Sequence, residues 1–213
     1  MKKYLALLLI VISCSAFAQD GSAAFKLGFF NPADADAGFI IGYEGTHRVD
    51  ENFYIGWSFD WFHRNYTDKK LVSDYNQVYP GQGGEVNELR AKTNIHDLPL
   101  MFVLKAEFPV APRTSAYGTG GFGAEILLIN YRNFQNPEQD DFHAAFAFNW
   151  RIGAGMSYAI SRRSDIFGEI TYHSSVPSWE YQIEDPLTHV KRTYEREFDM
   201  SGMMLRIGYR FFY

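Results

Sequence analysis

The sequence has very little cysteine and no long apolar run. Cys14 is the only cysteine among 213 residues, which excludes the disulfide framework that stabilises many small secreted domains. The apolar run from Tyr4 to Ile12 is about half of the roughly 20 residues that a transmembrane helix needs. We therefore expect no disulfides and no membrane anchor at the N-terminus.

The chain also lacks a basic excess and a metal-ligand pattern. It carries 20 Lys and Arg against 25 Asp and Glu, without a polybasic cluster, which excludes a nucleic-acid partner. The acidic segment 136–141 lacks the ordered oxygen pattern of a calcium loop. No metal or cofactor is expected, because the histidines are scattered without ligand spacing: His47, His63, His96, His143, His173 and His189.

The N-terminus has the layout of a secretory signal peptide. Lys2 and Lys3 precede the short apolar run, and Ala16-Phe17-Ala18 is a small-x-small cleavage site. We predict a signal peptide over residues 1–18 and one mature domain over 19–213. The alternative is a lipobox at 11–14, in which Cys14 becomes a lipidated N-terminus.

Apolar and polar residues alternate along much of the chain with a two-residue period, which is typical of strands. Phe53, Ile55, Trp57, Phe59 and Trp61 share one apolar face. Most such segments are closer to the 9–11 residues of a tilted membrane strand than to the 5–6 residues common in soluble sheets. Eight segments are predicted as strands: 22–30, 38–46, 53–61, 95–108, 115–130, 144–160, 166–174 and 203–213.

The lengths of the connections alternate. Segments 47–52, 109–114 and 161–165 are short, whereas 65–94, 131–143 and 175–198 are long and polar, and only 31–37 is an unusually small outer loop. Short internal turns and long external loops are typical of outer-membrane barrels. We predict an all-β fold, an eight-stranded antiparallel up-and-down transmembrane β-barrel in the outer membrane of a Gram-negative cell.

In such a barrel the apolar faces contact lipid and the charged residues between them face the lumen. An eight-stranded lumen is only wide enough for side chains to fill it, so we interpret these charges as a structural ion-pair network. A proton or ion path is the alternative. The ten predicted lumenal charges are Lys26, Glu44, Asp60, Lys105, Glu107, Glu125, Arg151, Glu169, Arg206 and Arg210.

Three segments have recognisable strand patterns. Residues 95–105 have a proline near the start and a lysine near the end, 117–124 are rich in glycine, and 153–156 read Gly-Ala-Gly-Met. In this order they resemble three successive strands of the PorT-like outer-membrane β-barrel family of Bacteroidetes. Asp97 stands where the family usually has a glutamate. The resemblance implies an outer-membrane barrel, in a family whose small barrels serve as adhesins and secretion accessories.

The final strand also resembles the aromatic-ended signal that barrel assembly machinery recognises. Its alternate residues are Ile207, Tyr209, Phe211 and Tyr213, although a terminal Phe is commoner than Tyr. The expected partners are therefore that machinery, periplasmic chaperones, and the lipid and lipopolysaccharide of the outer membrane.

We expect a non-enzymatic structural, adhesion or secretion-accessory function through the long loops. Aromatic side chains in these loops either bind a protein or glycan partner or cap the barrel mouth: Tyr66, Tyr75, Tyr79, Trp179, Tyr181 and Tyr194.

The alternative is an outer-membrane lipid hydrolase. His173 and Ser175 resemble the catalytic pair of lipid A deacylases, and Glu180 or Glu184 would orient the histidine. The asparagine and glycine expected after the serine are absent, and Pro177 follows instead.

Overall fold

A computed structural model describes residues 21–67, 92–131, 141–184 and 191–213. Within these ranges the chain forms strands, and no helix there is long and apolar enough to cross a membrane. The strands are β1 (Gly21–Pro32), β2 (Gly38–Arg48), β3 (Phe53–Thr67), β4 (Lys92–Ala111), β5 (Thr114–Tyr131), β6 (Asp141–Ser161), β7 (Ser164–Ser175), β8 (Ser178–Glu184), β9 (Lys191–Glu197) and β10 (Gly202–Phe212).

Eight of these strands close into a barrel. β1 to β7 pair in chain order, β7 pairs with β10, and β10 returns to β1 from Ser22↔Phe212 to Pro32↔Gly202, all antiparallel. Closure gives every strand two neighbours, as a lipid environment requires. The predicted eight-stranded antiparallel barrel is confirmed.

β8 and β9 form a hairpin outside this ring. It pairs with β6 at Phe146↔Ser178 and lies in segment 175–198, which was predicted as a long polar connection, either a binding loop or an extension of the strands above the membrane. The sequence of β8 alternates Trp179, Tyr181 and Ile183 with polar residues. The hairpin was not among the eight predicted strands because five of the seven residues of β9 are charged.

The two ends of the barrel differ. Short connections at 49–52, 112–113 and 162–163 define the turn end, and the longer connections define the loop end. Arg113 adopts a φ of 64°, a left-handed conformation that is uncommon for a residue other than glycine and that closes the two-residue turn between β4 and β5. β3 to β6 have 15 to 21 residues and extend beyond their neighbours at the loop end.

The outer surface is apolar around the barrel. Phe25, Leu27 and Phe29 of β1 are exposed, as are Leu205 and Ile207 of β10. Soluble monomers rarely expose an apolar surface this continuous, whereas it is typical of the lipid-facing band of a membrane barrel.

The core of the protein is the lumen, and its loop end is apolar. Ile40, which breaks the alternation of β2 in the sequence, points inward and is fully buried. The ring centroids of Phe30 and Phe62 lie 5.2 Å apart in an edge-to-face contact. The buried apolar residues at this end form one group, which we call the apolar cluster: Phe30, Ala35, Ile40, Phe62, Ile95, Leu127, Ile129, Ala145, Trp179, Phe198, Met200 and Met204.

Candidate functional site

The structure places all ten predicted lumenal charges on the inner face of the barrel. Nine are buried, and Glu107, near the turn end, keeps an 11% exposed side chain. These charges lie at alternate positions along their strands, and every second residue of a barrel strand faces inward. The charges lie in layers between the apolar cluster and the turn end.

Asp60 bridges the lumen in the first ion-pair layer. Its carboxylate accepts a hydrogen bond from Arg151 Nη1 at 2.6 Å and pairs with Arg206 Nη1 at 3.1 Å. These three residues come from β3, β6 and β10, which are separated around the ring. Gly42 lies opposite Asp60 on β2, and a Cβ at that position would collide with Asp60 Oδ1. The missing side chain leaves room for the carboxylate.

Two lysines and two glutamates form the next layer. Lys26 Nζ contacts Glu44 Oε2 at 2.5 Å and Glu169 Oε1 at 3.1 Å. Lys105 Nζ contacts the other oxygen of Glu44 at 2.5 Å. Arg206 Nη2 reaches Glu169 Oε1 at 2.7 Å and so joins this layer to Asp60. Buried ions are tolerated when several partners satisfy them, and here each carboxylate receives two cations.

Arg210 organises the layer nearest the turn end. It pairs with Asp165 Oδ2 at 2.5 Å and with Glu107 Oε2 at 2.9 Å. Ser157 donates a hydrogen bond to the other Glu107 oxygen at 2.8 Å. Asp165 was absent from the predicted set because the predicted strand starts after it, at Ile166. Its position directly opposite Arg210 continues the inward alternation of β7.

Little empty space is left beside the layer of two lysines and two glutamates. A residual cavity beside Lys26, Glu44 and Arg151 measures about 10 Å³, which is the volume of about one water-sized probe. Aromatic rings pack around the cations: Lys105 Nζ lies 5.0 Å from the Tyr117 ring centroid. The geometry therefore favours a structural network over a proton or ion path.

A second group, which we call the carboxylate–histidine cluster, lies between Asp60 and the apolar cluster. It consists of Asp97 on β4, Glu125 on β5 and His173 on β7, each fully buried. One potential ligand atom from each residue lies within 4.8 Å of the other two. His173 Nε2 and Glu125 Oε2 are 2.7 Å apart. Neither oxygen of Asp97 has a hydrogen-bond partner among the described residues.

The sequence did not predict this cluster. The histidines were judged too scattered for ligand spacing, yet the barrel brings His173 to carboxylates 48 and 76 positions away in the chain. The alternation along each strand did indicate that these residues face inward. Asp97 shares the inward face of Met101 and Lys105, and His173 shares that of Glu169. Ligand spacing along one segment cannot reveal groups that three different strands contribute.

His173 and Ser175, the alternative catalytic pair, do share one inward face. Both are buried, and Ser175 Oγ has no hydrogen-bond partner among the described residues. His173 packs against the ring of Phe30 at 5.7 Å, so a lipid outside the barrel does not reach the pair. The side chains of Glu180 and Glu184 lie outside the described part of the structure.

Other predicted residues have mixed outcomes. Trp179, predicted either to contact a partner or to cap the barrel mouth, is buried in the apolar cluster, as expected for the second alternative. Ile207, Tyr209, Phe211 and Tyr213 all lie on the outer face, and their role in assembly stays a prediction. The signal peptide, segment 136–140, Tyr75 and Tyr79, and the side chains of Tyr66, Tyr181 and Tyr194, fall outside the described residues.

The sequence matches a family model described as "Outer membrane protein beta-barrel domain" over residues 4–211. The chain belongs to this family, and its barrel is an outer-membrane barrel.

Solved structures show the same fold. A major outer membrane protein from Thermus thermophilus aligns with a TM-score of 0.62 and 10% identity, over 91% of this chain and 98% of that one. Neisserial surface protein A aligns with a TM-score of 0.51 and 11% identity, over 91% and 96%. No curated protein sequence matches the chain.

Proposed function

We propose that this protein is a non-enzymatic outer-membrane barrel of the PorT-like group that acts through its loop end, in a structural, adhesion or secretion-accessory role. The main observation behind this proposal is that side chains occupy the lumen. Ion-pair layers and the apolar cluster occupy the described interior, which leaves the two rims and the lipid-facing surface for interactions. The loop end faces the exterior of the cell, and the turn end faces the periplasm.

The β8–β9 hairpin supports an interaction role at the loop end. Backbone hydrogen bonds tie its base to the barrel, from Phe198 N to Pro177 O at 2.9 Å and from Met200 N to Ser175 O at 3.0 Å. Trp179 and Phe198 pack in the apolar cluster beneath it. A rigid base lowers the entropy lost when a protein or glycan partner binds.

The lipid-facing residues support the remaining partners. Apolar side chains of every barrel strand point outward, where outer-membrane lipid and lipopolysaccharide solvate them. The outward ladder of Ile207, Tyr209, Phe211 and Tyr213 fits recognition by barrel assembly machinery, after periplasmic chaperones deliver the chain.

Site-directed labelling tests the orientation and the partner together. Removal of the predicted signal peptide, residues 1–18, takes away the only cysteine, Cys14, so Glu197→Cys gives one thiol at the exposed end of β9. The matched control carries Arg163→Cys in the exposed β6–β7 turn. A membrane-impermeant maleimide should label position 197 on intact cells and position 163 only after permeabilisation; the reverse pattern would refute the orientation.

The same thiols identify the interacting face. A thiol-directed crosslinker in native outer membranes should join position 197, but not position 163, to a surface partner. Crosslinks confined to position 163 would place the interaction in the periplasm and contradict the proposal.

The unpartnered Ser175 hydroxyl, on the same face as His173, favours the second candidate, a lipid hydrolase. Its test is lipid hydrolysis by the purified barrel in lipopolysaccharide-containing vesicles, with Ser175→Ala as the comparison. We expect no activity in either protein. Activity that Ser175→Ala abolishes would replace the binding function with an enzymatic one.

A further inference from the structure

The lumenal charges do not balance within the described residues. The five lysine and arginine side chains of the lumen are ion-paired with five carboxylates, namely Glu44, Asp60, Glu107, Asp165 and Glu169. Asp97 and Glu125 stand outside this set: Glu125 contacts the imidazole of His173 and the amide of Asn149. Two carboxyl groups are therefore left without a lysine or arginine ion-pair partner among the described residues, next to the apolar cluster.

These two carboxylates are poorly satisfied where they lie. Both residues are fully buried, and both oxygens of Asp97 and Oε1 of Glu125 accept no hydrogen bond from the described residues. Arg151 makes no ion pair with either carboxyl: its Nη1 pairs with Asp60, and its Nε and Nη2 have no hydrogen-bond partner among the described residues. A buried carboxylate without hydrogen bonds or a counter-charge is strongly unfavourable. The pair therefore either shares a proton, since Asp97 lies within hydrogen-bond reach of Glu125, or binds a positively charged ligand.

The geometry of the carboxylate–histidine cluster fits a metal ion. Its three candidate ligand atoms lie within 4.8 Å of one another. Tetrahedral zinc with bonds of about 2.0–2.2 Å places ligand atoms roughly 3.5 Å apart, so small side-chain rotations are sufficient to close the site. Asn149 Nδ2 donates a hydrogen bond to Glu125 Oε2 at 3.4 Å, and a 180° rotation of this amide would turn its unpartnered Oδ1 toward the cluster as a fourth donor.

The donor set selects the class of metal. One imidazole nitrogen with two carboxylates suits a first-row transition cation such as Zn²⁺. Calcium and magnesium prefer more oxygen ligands and waters. A divalent cation would also neutralise both surplus charges while the imidazole stays neutral.

We propose that Asp97, Glu125 and His173 bind one Zn²⁺ ion as a structural site that links β4, β5 and β7. The ion lies beneath the apolar cluster and above the ion-pair layers, so it is incorporated as the barrel folds and does not exchange readily afterwards. This inference is independent of the partner proposed for the loop end.

Metal analysis of the folded protein is the first test. The barrel is purified from outer membranes without a histidine tag, dialysed against EDTA and measured by inductively coupled plasma mass spectrometry. We expect about one zinc per chain. Protein refolded from urea with Co²⁺ alone should show visible d–d absorption from a bound ion. Failure of both measurements on the wild type would refute the site and assign the charge balance to a proton shared by the carboxylates.

Matched variants locate the ion. Asp97→Asn removes a ligand charge with almost no change in volume, and Asp165→Asn makes the same change in the Arg210 layer. We expect zinc content to fall at least tenfold in Asp97→Asn and to persist in Asp165→Asn. Equal zinc content in both variants would contradict the assignment. Should Asp97→Asn not fold, wild-type barrel refolded with Zn²⁺ must still unfold at a higher urea concentration than barrel refolded with EDTA; equal midpoints would overturn the proposal.

Discussion

Loss of the Asp60 charge should strongly destabilise the barrel, because this one carboxylate serves two buried guanidinium groups. Asp60→Asn keeps the shape of the side chain and removes the charge. Arg206 retains Glu169 at 2.7 Å, but Arg151 is left without an ion-pair partner among the described residues. Removal of one member of a buried pair typically costs about 3–5 kcal/mol, or roughly two to four orders of magnitude in the unfolding equilibrium constant.

The assay is equilibrium urea unfolding in lipid vesicles, followed by tryptophan fluorescence and by heat-modifiable gel migration. Ser58→Ala is the matched control, because Ser58 lies two residues away on the same inward face and its Oγ has no partner among the described residues; it should not destabilise the barrel, since it removes a buried polar group that makes no hydrogen bond. Asp60→Asn combined with Arg151→Met should recover much of the loss, since replacing both members of a buried pair is often neutral. The reasoning fails if Asp60→Asn unfolds at the wild-type urea concentration, or if the second substitution adds to the loss.

Three further predictions use the same urea assay. Phe30→Ala should cost about 3–5 kcal/mol, because its fully buried ring packs against Phe62 in the apolar cluster; a loss below about 1 kcal/mol would show that this cluster is loosely packed. Gly42→Ala should cost about 1–3 kcal/mol because the new methyl group displaces the Asp60 carboxylate, whereas Gly118→Ala, with open space around its position, should be close to neutral; equal effects would contradict the packing at Gly42. Ile207→Arg, on the outer face in the middle of β10, should lower the free energy of unfolding by about 2–4 kcal/mol, and Phe211→Arg near the turn end by about 0–1 kcal/mol. The opposite order would show that the centre of the membrane does not lie at the middle of β10.

The barrel itself could be predicted because lipid imposes a simple rule on the sequence. Each strand must present apolar residues at every second position, and β3 displays this without interruption from Phe53 to Trp61. The alternation of short and long connections then specified the antiparallel order. Even the glycine-rich strand β5 followed its predicted parity, with Phe122 outward and Glu125 inward.

The apolar part of the lumen could not be predicted by the same rule. Phe30, Ile40 and Phe62 are as apolar as the neighbouring residues that face lipid, so alternation disappears at this end of the strands. The β8–β9 hairpin was missed for a different reason: β9 is charged at five of its seven positions, so it does not resemble the apolar barrel strands.

The carboxylate–histidine cluster required three-dimensional information. Asp97 and His173 each have the parity of a lumenal residue, but only the barrel closure shows that they lie in one layer with Glu125. The sequence contained the correct types of residue for the ion-pair network, whereas the pairing of Asp60 with Arg151 and Arg206 depends on how the strands stagger around the barrel.

Electrical recording across a planar lipid bilayer tests most directly whether the lumen is filled. The folded, purified protein should produce no steady ionic current under an applied voltage, because ion-pair layers and the apolar cluster occupy the described lumen. A stable ohmic current that the folded barrel produces and its heat-denatured form does not would show an open channel, and would contradict a function confined to the surfaces of the barrel.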